Sequence, residues 1–398
     1  MSSPHITSDE VEAIGRVLQT PYLSMGPCVD EFEGQFTRYI GTDHAAAVSS
    51  GTSGLHLCVI AAGVSDGDLV LTTPFSFVSS ANVILYERAI PVFVDIDPIT
   101  LNIDPARVNE AVGDICNHRE STDRWLPRSL RGHDHDQKGG KLKAILPIHA
   151  FGQPADMDPI IDTAREHGLQ VIEDACEAVG AEYKGRKVGT QSDAAVFAFY
   201  PNKQMTTGEG GMIATNSDSW DAVFRSLRNQ GRDVFDAWLT HSRLGYNYRL
   251  DEMSAALGLA QLKRLEELLS KRQGIAQWYN ERLSGMDAVE IPCIAPTTTR
   301  MSWFVYVIRL APELDREPVM EALLERGIPS RPYFTPIHLQ PFYRERFGYR
   351  AGDFPVTEAA GRTCLALPFS SIMTEHQVDY VCQQLEVVLK DSYKARRG

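Results

Sequence analysis

Seven short apolar runs separated by helical patterns fill the first two-thirds of the chain, and they constrain its fold more than any other feature. They predict strands over Ala45–Ser49, Leu69–Thr73, Pro91–Asp95, Ala144–His149, Gln170–Glu173, Ala194–Tyr200 and Gly211–Thr215. Several are apolar at consecutive positions, the pattern of strands covered on both faces. Between two of them Asp156 precedes the helical stretch 157–166 and Gly168 follows it, which fits a helix capped at both ends. Strands alternating with helices imply an α/β fold with a mostly parallel, doubly wound sheet.

The rhythm breaks twice. Residues 113–141 are rich in Arg, Asp, His and Gly, and read as an exposed polar insertion. Within it His133-Asp-His135-Asp136 reads as a solvated loop rather than a metal site, because spacing places no third ligand. From Asp251 to Arg272 a single long helix is expected, with Met253, Leu257, Leu262, Leu265 and Leu269 roughly on one side. It divides a large domain over residues 1–250, including an N-terminal arm, from a smaller α+β domain over 251–398. In the latter, Trp303–Leu310 reads as a strand and 329–343 as a loop heavy in Pro, Tyr and His.

Composition narrows the classes. A net charge of −13 leaves no basic domain to neutralise phosphates, which argues against nucleic acid and, more weakly, against anionic membranes. No apolar run approaches the roughly 20 residues of a spanning helix. The opening Met1-Ser-Ser-Pro-His-Ile-Thr7 lacks the regions of a signal peptide. The 7 cysteines include no Cys-x-x-Cys pair; Cys28, Cys58, Cys176, Cys364 and Cys382 suit reduced thiols packed as small hydrophobes. A cytoplasmic enzyme is expected.

Three strand ends carry the chemistry. Lys203 follows the run 194–200, at the carboxyl end of a buried strand, where open α/β sheets bind ligands. A partly desolvated lysine there can form a Schiff base; the alternative is a surface lysine in a turn. Asp174 ends the run 169–174 and should emerge at the same sheet edge. A buried carboxylate holds a proton on the nitrogen of a pyridine-ring cofactor, although the same residue could cap a helix. Ser49-Ser-Gly-Thr-Ser-Gly54 lies between a strand and a helix start, where small residues let backbone N–H groups approach a phosphate.

In this order the motifs resemble the DegT/StrS family of sugar aminotransferases, a branch of the fold-type I pyridoxal-phosphate enzymes. The resemblance is carried by Leu23-Ser-Met-Gly-Pro27 with Phe32-Glu33, by Ser49–Gly54, and by Thr73-Pro-Phe-Ser-Phe77. It continues through Pro91–Asp97, Glu173-Asp-Ala175, Pro201-Asn-Lys203, Gly208-Glu-Gly-Gly211, Gly245-Tyr-Asn-Tyr-Arg249 and Pro332–Tyr343. It implies a large domain around a mostly parallel seven-stranded sheet, and pyridoxal 5'-phosphate as cofactor. Lys203 would carry the cofactor and move the proton, Asp174 would bind the pyridine nitrogen, and Phe77 would stack on the ring. Gly51, Thr52 and Ser53 would cup the phosphate, and Asn247 would reach the phosphate of the neighbouring subunit in a homodimer with shared sites. Retention of Lys203, which a dehydratase branch replaces by histidine, favours transamination.

The resemblance also implies an amino group moving from L-glutamate to a keto-sugar, expected to be nucleotide-linked. Arg249, Arg331, Tyr333 and His338 are candidate substrate contacts, with plain packing as the alternative for each. Two positions depart from the family pattern. Glu177 stands where His or Gln usually meets the cofactor's phenolic oxygen, and an ionised carboxylate there would repel that oxygen. It is therefore expected to be protonated in place or turned away. Ala198 replaces a phosphate-binding serine. An aminocyclitol-type ketone or sugar phosphate as acceptor, another pyridoxal-phosphate reaction such as elimination, or a non-enzymatic regulator remain alternatives at this level.

Overall fold

The structure, a computed structural model, describes residues 2–132, 140–233 and 240–397, with side chains as far as Ser392. The run His133–Asp136 lies outside the described residues. All seven predicted strands form one sheet, in the spatial order His44–Val48, Gly211–Thr215, Ala194–Ala198, Gln170–Asp174, Leu142–Ile145, Leu69–Thr72 and Ile90–Phe93. Only Gly211–Thr215 runs against both its neighbours; the other pairings in this sheet are parallel. The carboxyl ends of His44–Val48, Leu69–Thr72, Gln170–Asp174 and Ala194–Ala198 therefore share one edge. Two strands, Leu142–Ile145 and Ala194–Ala198, are each two residues shorter than their apolar runs suggest. The strand from Leu142 ends at Ile145, ahead of Pro147, which has no N–H for the ladder; Ile148 beyond it still bridges Asp174.

The capped helix lies at Met157–His167, closed by Gly168 at φ +66°. Asp156 occupies the cap position, but its carboxylate accepts from the Tyr183 hydroxyl instead of the helix N–H groups. The expected single helix after Asp251 is two helices, Glu252–Lys263 and Leu265–Leu283, broken at Arg264. There the Arg264 guanidinium turns to Glu10 of the N-terminal helix Ser8–Val17, at 3.0 Å.

The polar insertion is also corrected in part. Its first residues complete the helix Pro105–Cys116, and short turns follow at Glu120–Arg124 and Arg128–Leu130. Asp114 is buried, receiving Arg119, Arg124 and the Trp125 indole N–H, and Arg128 pairs with Asp353. Polar residues satisfied by one another can leave solvent, which a polarity pattern cannot register.

The C-terminal part holds a four-stranded antiparallel sheet ordered Val289–Glu290, Tyr306–Leu310, Cys364–Leu367, Arg331–Pro332. Helices Leu265–Leu283, Arg316–Glu325 and Glu375–Arg397 pack with it around a core in which Tyr279 and Tyr306 stack at 4.6 Å. The stretch read as a strand over Trp303–Leu310 becomes one only at Tyr306, and just ahead of it lies a hydrogen-bonded seam against the large sheet's loops: Ser302 N–H donates to Gly152 O and Phe304 N–H to Phe151 O. Gly152 has φ +94°, and a Cβ there would lie 2.7 Å from Trp303 N. Only glycine fits that approach.

Candidate active site

A cavity of about 470 Å³ opens at the carboxyl edge of the sheet. Lys203, Asp174, Glu177, Gly51, Thr52 and Phe77 all line it. A larger groove of about 620 Å³, between 287–317 and 356–363, holds none of them and mixes arginines with carboxylates.

Ser50 caps the helix Gly51–Ala61 by accepting from Ser53 N–H at 3.1 Å, so the free N–H groups of the first turn face the cavity end. Ser53 itself is buried in that cap, its hydroxyl bonded to Ser49 and Ser50, and it does not line the cavity. A Cβ on Gly51 would lie 2.7 Å from Cys176 Sγ and 2.8 Å from Ala198 Cβ. Ala198 thus backs the cup without a hydroxyl. Thr52, which donates to Ser79 Oγ at 3.0 Å, supplies hydroxyls there together with Ser79.

Asp174 is buried where its strand ends, and no helix begins there, so the capping alternative does not apply. Its Oδ1 accepts from Cys176 N–H at 3.1 Å and its Oδ2 from Ser80 Oγ at 2.6 Å. Ser80 in turn shares a hydrogen bond with Ser76 at 3.0 Å. A carboxylate held this way remains an acceptor and keeps one orientation. Phe77 is 64% exposed, a large ring left open at the mouth of a cavity.

Lys203 is a largely covered lysine, with a side chain 13% exposed, not the surface residue of the alternative reading. Its Nζ lies 3.9 Å from the centre of the Phe304 ring and 3.6 Å from Glu177 Oε1. Glu177 faces the site and is not turned away. Its Oε2 accepts from Phe151 N–H at 2.9 Å. Burial pushes its carboxyl above the ordinary range, against the pull of Lys203 and of that N–H. Burial also pushes the Cys176 thiol well up and the Tyr333 phenol up to about 12, so both stay protonated at neutral pH.

The remaining candidates divide. Tyr333 lines the cavity. His338 does not: it is fully buried, 3.1 Å from Glu358 Oε1, and burial lowers its pKa. Arg331 is exposed on the edge strand of the C-terminal sheet, and Arg249 donates to Asn229 Oδ1 at 3.0 Å. Asn247 is exposed outside this chain's cavity, on a segment held by the stacked rings of Tyr246 and Tyr248 at 5.0 Å. Sequence reasoning missed Ser79, Ser80, Asn202, Phe304 and Phe334. The first two follow directly on the segment ending at Phe77 and were within reach; the aromatic pair arrives from more than a hundred residues downstream.

The cavity fits a phosphorylated pyridine aldehyde. It offers a covered amine, an oriented carboxylate, an open ring, N–H and hydroxyl donors at a helix start, and Asn202 Oδ1, buried without a partner. With the sheet order, these features define the class: a fold-type I aminotransferase dependent on pyridoxal 5'-phosphate. Residues 4–386 match the model of the DegT/DnrJ/EryC1/StrS aminotransferase family, and the chain belongs to that family. It is 38% identical over 393 residues to the GDP-perosamine synthase of Caulobacter vibrioides, covering 98% of each chain. It is 34% identical to the spore coat polysaccharide biosynthesis protein SpsC of Bacillus subtilis, over 98% of this chain and 96% of that one. Among solved structures, S. venezuelae DesV superposes with a TM-score of 0.84 at 31% identity, over 96% of this chain and 94% of the other.

Proposed function

We propose that the protein moves the amino group of L-glutamate to a keto-sugar, carried on a nucleotide, in the making of an amino sugar. The observation that carries this reading is the meeting of Lys203, Asp174 and Phe77 in one cavity behind a helix N-terminus. The sugar and its nucleotide rest on likeness to relatives such as the GDP-perosamine synthase.

When bound, the cofactor supplies an electron sink for the pair released as a proton leaves the donor's α-carbon. Lys203 Nζ would hold the cofactor at rest and, when free, would take that proton and return it two bonds away, on the far side of the donor's nitrogen. For this it must be neutral. Asp174, fixed by Ser80, keeps the pyridine nitrogen protonated. Gly51, Thr52 and Ser79 bind the phosphate, and Phe77 and Tyr333 bound the ring and the acceptor. Glu177, whose carboxyl burial pushes up, would stand near the phenolic oxygen, and in its protonated form it could donate where an ionised carboxylate would repel.

Residues 1–250 form the cofactor domain and 251–398 the smaller one. The working unit is a homodimer in which Asn247 of each chain completes the other's phosphate site. The exposed position of Asn247 supports this, as do the bare Val11, Leu18, Tyr22 and Met25 of the N-terminal arm. Seven free thiols support a cytoplasmic setting, and among the described residues no helix is long and apolar enough to cross a membrane.

Incubation with L-glutamate should release 2-oxoglutarate and discharge the cofactor's absorbance to its amine form. Adding a nucleoside-diphosphate keto-hexose should restore the absorbance and yield an amino sugar. No 2-oxoglutarate from glutamate sinks the donor, and no restoration by any nucleotide-linked ketose sinks the acceptor.

A further inference from the structure

Arg272, on the helix Leu265–Leu283, is only 2% exposed. Its Nη1 donates to the carbonyls of Trp303 and Phe304, at 3.1 Å each, and its Nη2 to the carbonyl of Lys203 at 2.9 Å. Among the described residues no carboxylate balances it: its Nε has no partner, and the Phe369 ring lies 5.5 Å from its guanidinium carbon. Burying a cation without a counter-ion is costly, and an apolar side chain of similar volume would pack there without that cost. What the guanidinium does that no apolar group could is to gather three carbonyls from two distant segments in one planar fork. One segment is the turn carrying Lys203. The other carries Phe304, whose ring lies 3.9 Å from the Lys203 amine. Both ends of the lysine, its carbonyl and its amine, thus depend on groups that this guanidinium holds.

We propose that Arg272 is a positioning residue for Lys203: it ties the lysine's backbone to the Trp303–Phe304 backbone and so fixes the amine against the Phe304 ring at the cavity wall. Its meaning for catalysis rests on the role assigned to Lys203 above, whereas the positioning itself does not. A residue that merely held the fold together would destabilise the chain when replaced, yet leave the amine where it is. Arg316 supplies the comparison. It is also buried, donates to the carbonyls of Gly361 and Cys364, has an unpartnered Nε, and lines no part of the cavity.

The test follows Lys203 directly. Full-length chains stripped of cofactor are acetylated with limiting acetic anhydride at one fixed pH, and the rate at Lys203 is read by peptide mass mapping beside the melting temperature. Arg272→Met should speed labelling of Lys203 by about fivefold or more, Arg272→Lys by less, and Arg316→Met by under about twofold despite a comparable loss of stability. In chains reloaded with pyridoxal 5'-phosphate, Arg272→Lys should lower kcat by about tenfold with KM for glutamate changed by under about threefold. Parental labelling of Lys203 in both Arg272 variants overturns the proposal, as does an equal rise in Arg316→Met. Should Arg272→Met not fold, Arg272→Lys and Arg272→Gln carry the same comparison. A parent chain inactive with glutamate would count against the proposed function, while the labelling would still decide the place of Arg272.

Discussion

Glu177 brings a carboxylate to within 3.6 Å of the Lys203 amine, in a place where burial raises its pKa. A carboxyl group whose folded pKa lies above its unfolded value destabilises the fold once the pH exceeds the unfolded value, about 4.3, because the folded chain must keep or rebind the proton. Glu177→Gln removes that burden. The cofactor-free variant should melt higher than the parent at pH 7–8, and the difference should vanish near pH 4; equal melting temperatures at pH 8 would show that Glu177 is ionised at no cost. Lys203→Ala should lower turnover by on the order of 10⁴-fold and Asp174→Asn by about 10²–10⁴-fold, with the fold retained by circular dichroism. At this scale the sequence disclosed the residues that end strands, since Lys203, Asp174, Thr52 and Phe77 all stand just beyond apolar runs. Ser80 and Arg272 were hidden inside helical patterns, where nothing local separates a hydrogen-bonding partner from an ordinary surface group. His338 drew notice by its place in the loop that resembles the family's sugar-side segment, and the structure seats it in the interior on Glu358.

Among the elements, the seam at 302–304 joins the large sheet's loops to the C-terminal sheet. Gly152 sits at its closest approach, with φ +94° and the Trp303 nitrogen 2.7 Å from where a Cβ would be. Gly152→Ala should therefore cost about 2–3 kcal/mol, read by denaturant unfolding; a cost under about 0.5 kcal/mol would mean the seam yields easily. The N-terminal helix is held differently. Burial pushes the Glu10 carboxyl up, but hydrogen bonds from Thr7 and Gln261 outweigh it and hold it at about 2. A depressed carboxyl stabilises the fold above its unfolded pKa, and that contribution is lost as the pH falls from about 4.5 toward 2. Amide protection in Ser8–Val17, with exchange rates corrected for their intrinsic pH dependence, should thus fall below pH 4.5 more steeply in the parent than in Glu10→Gln, which lacks the titrating group. The strands were legible because burial on both faces leaves consecutive apolar residues. The break at Arg264 was not, since the leucine pattern runs on through it and the partner of its guanidinium, Glu10, lies at the other end of the sequence.

At the level of the whole molecule, the site within one chain ends at an exposed mouth, and Asn247 stands outside it. If each chain lends Asn247 to the other, hybrids of a Lys203→Ala chain with an Asn247→Ala chain hold one intact site. Mixing the two inactive or weakened variants should then yield more activity than either alone, and a mixture no better than its components would place the whole site in one chain. Borohydride reduction of the pyridoxal-phosphate-loaded protein, followed by peptide mapping, reads out whether the amine of Lys203 carries the cofactor. The pyridoxyl group should be found on Lys203 and lost in Lys203→Ala; label fixed on another lysine, or none fixed at all, would contradict the account.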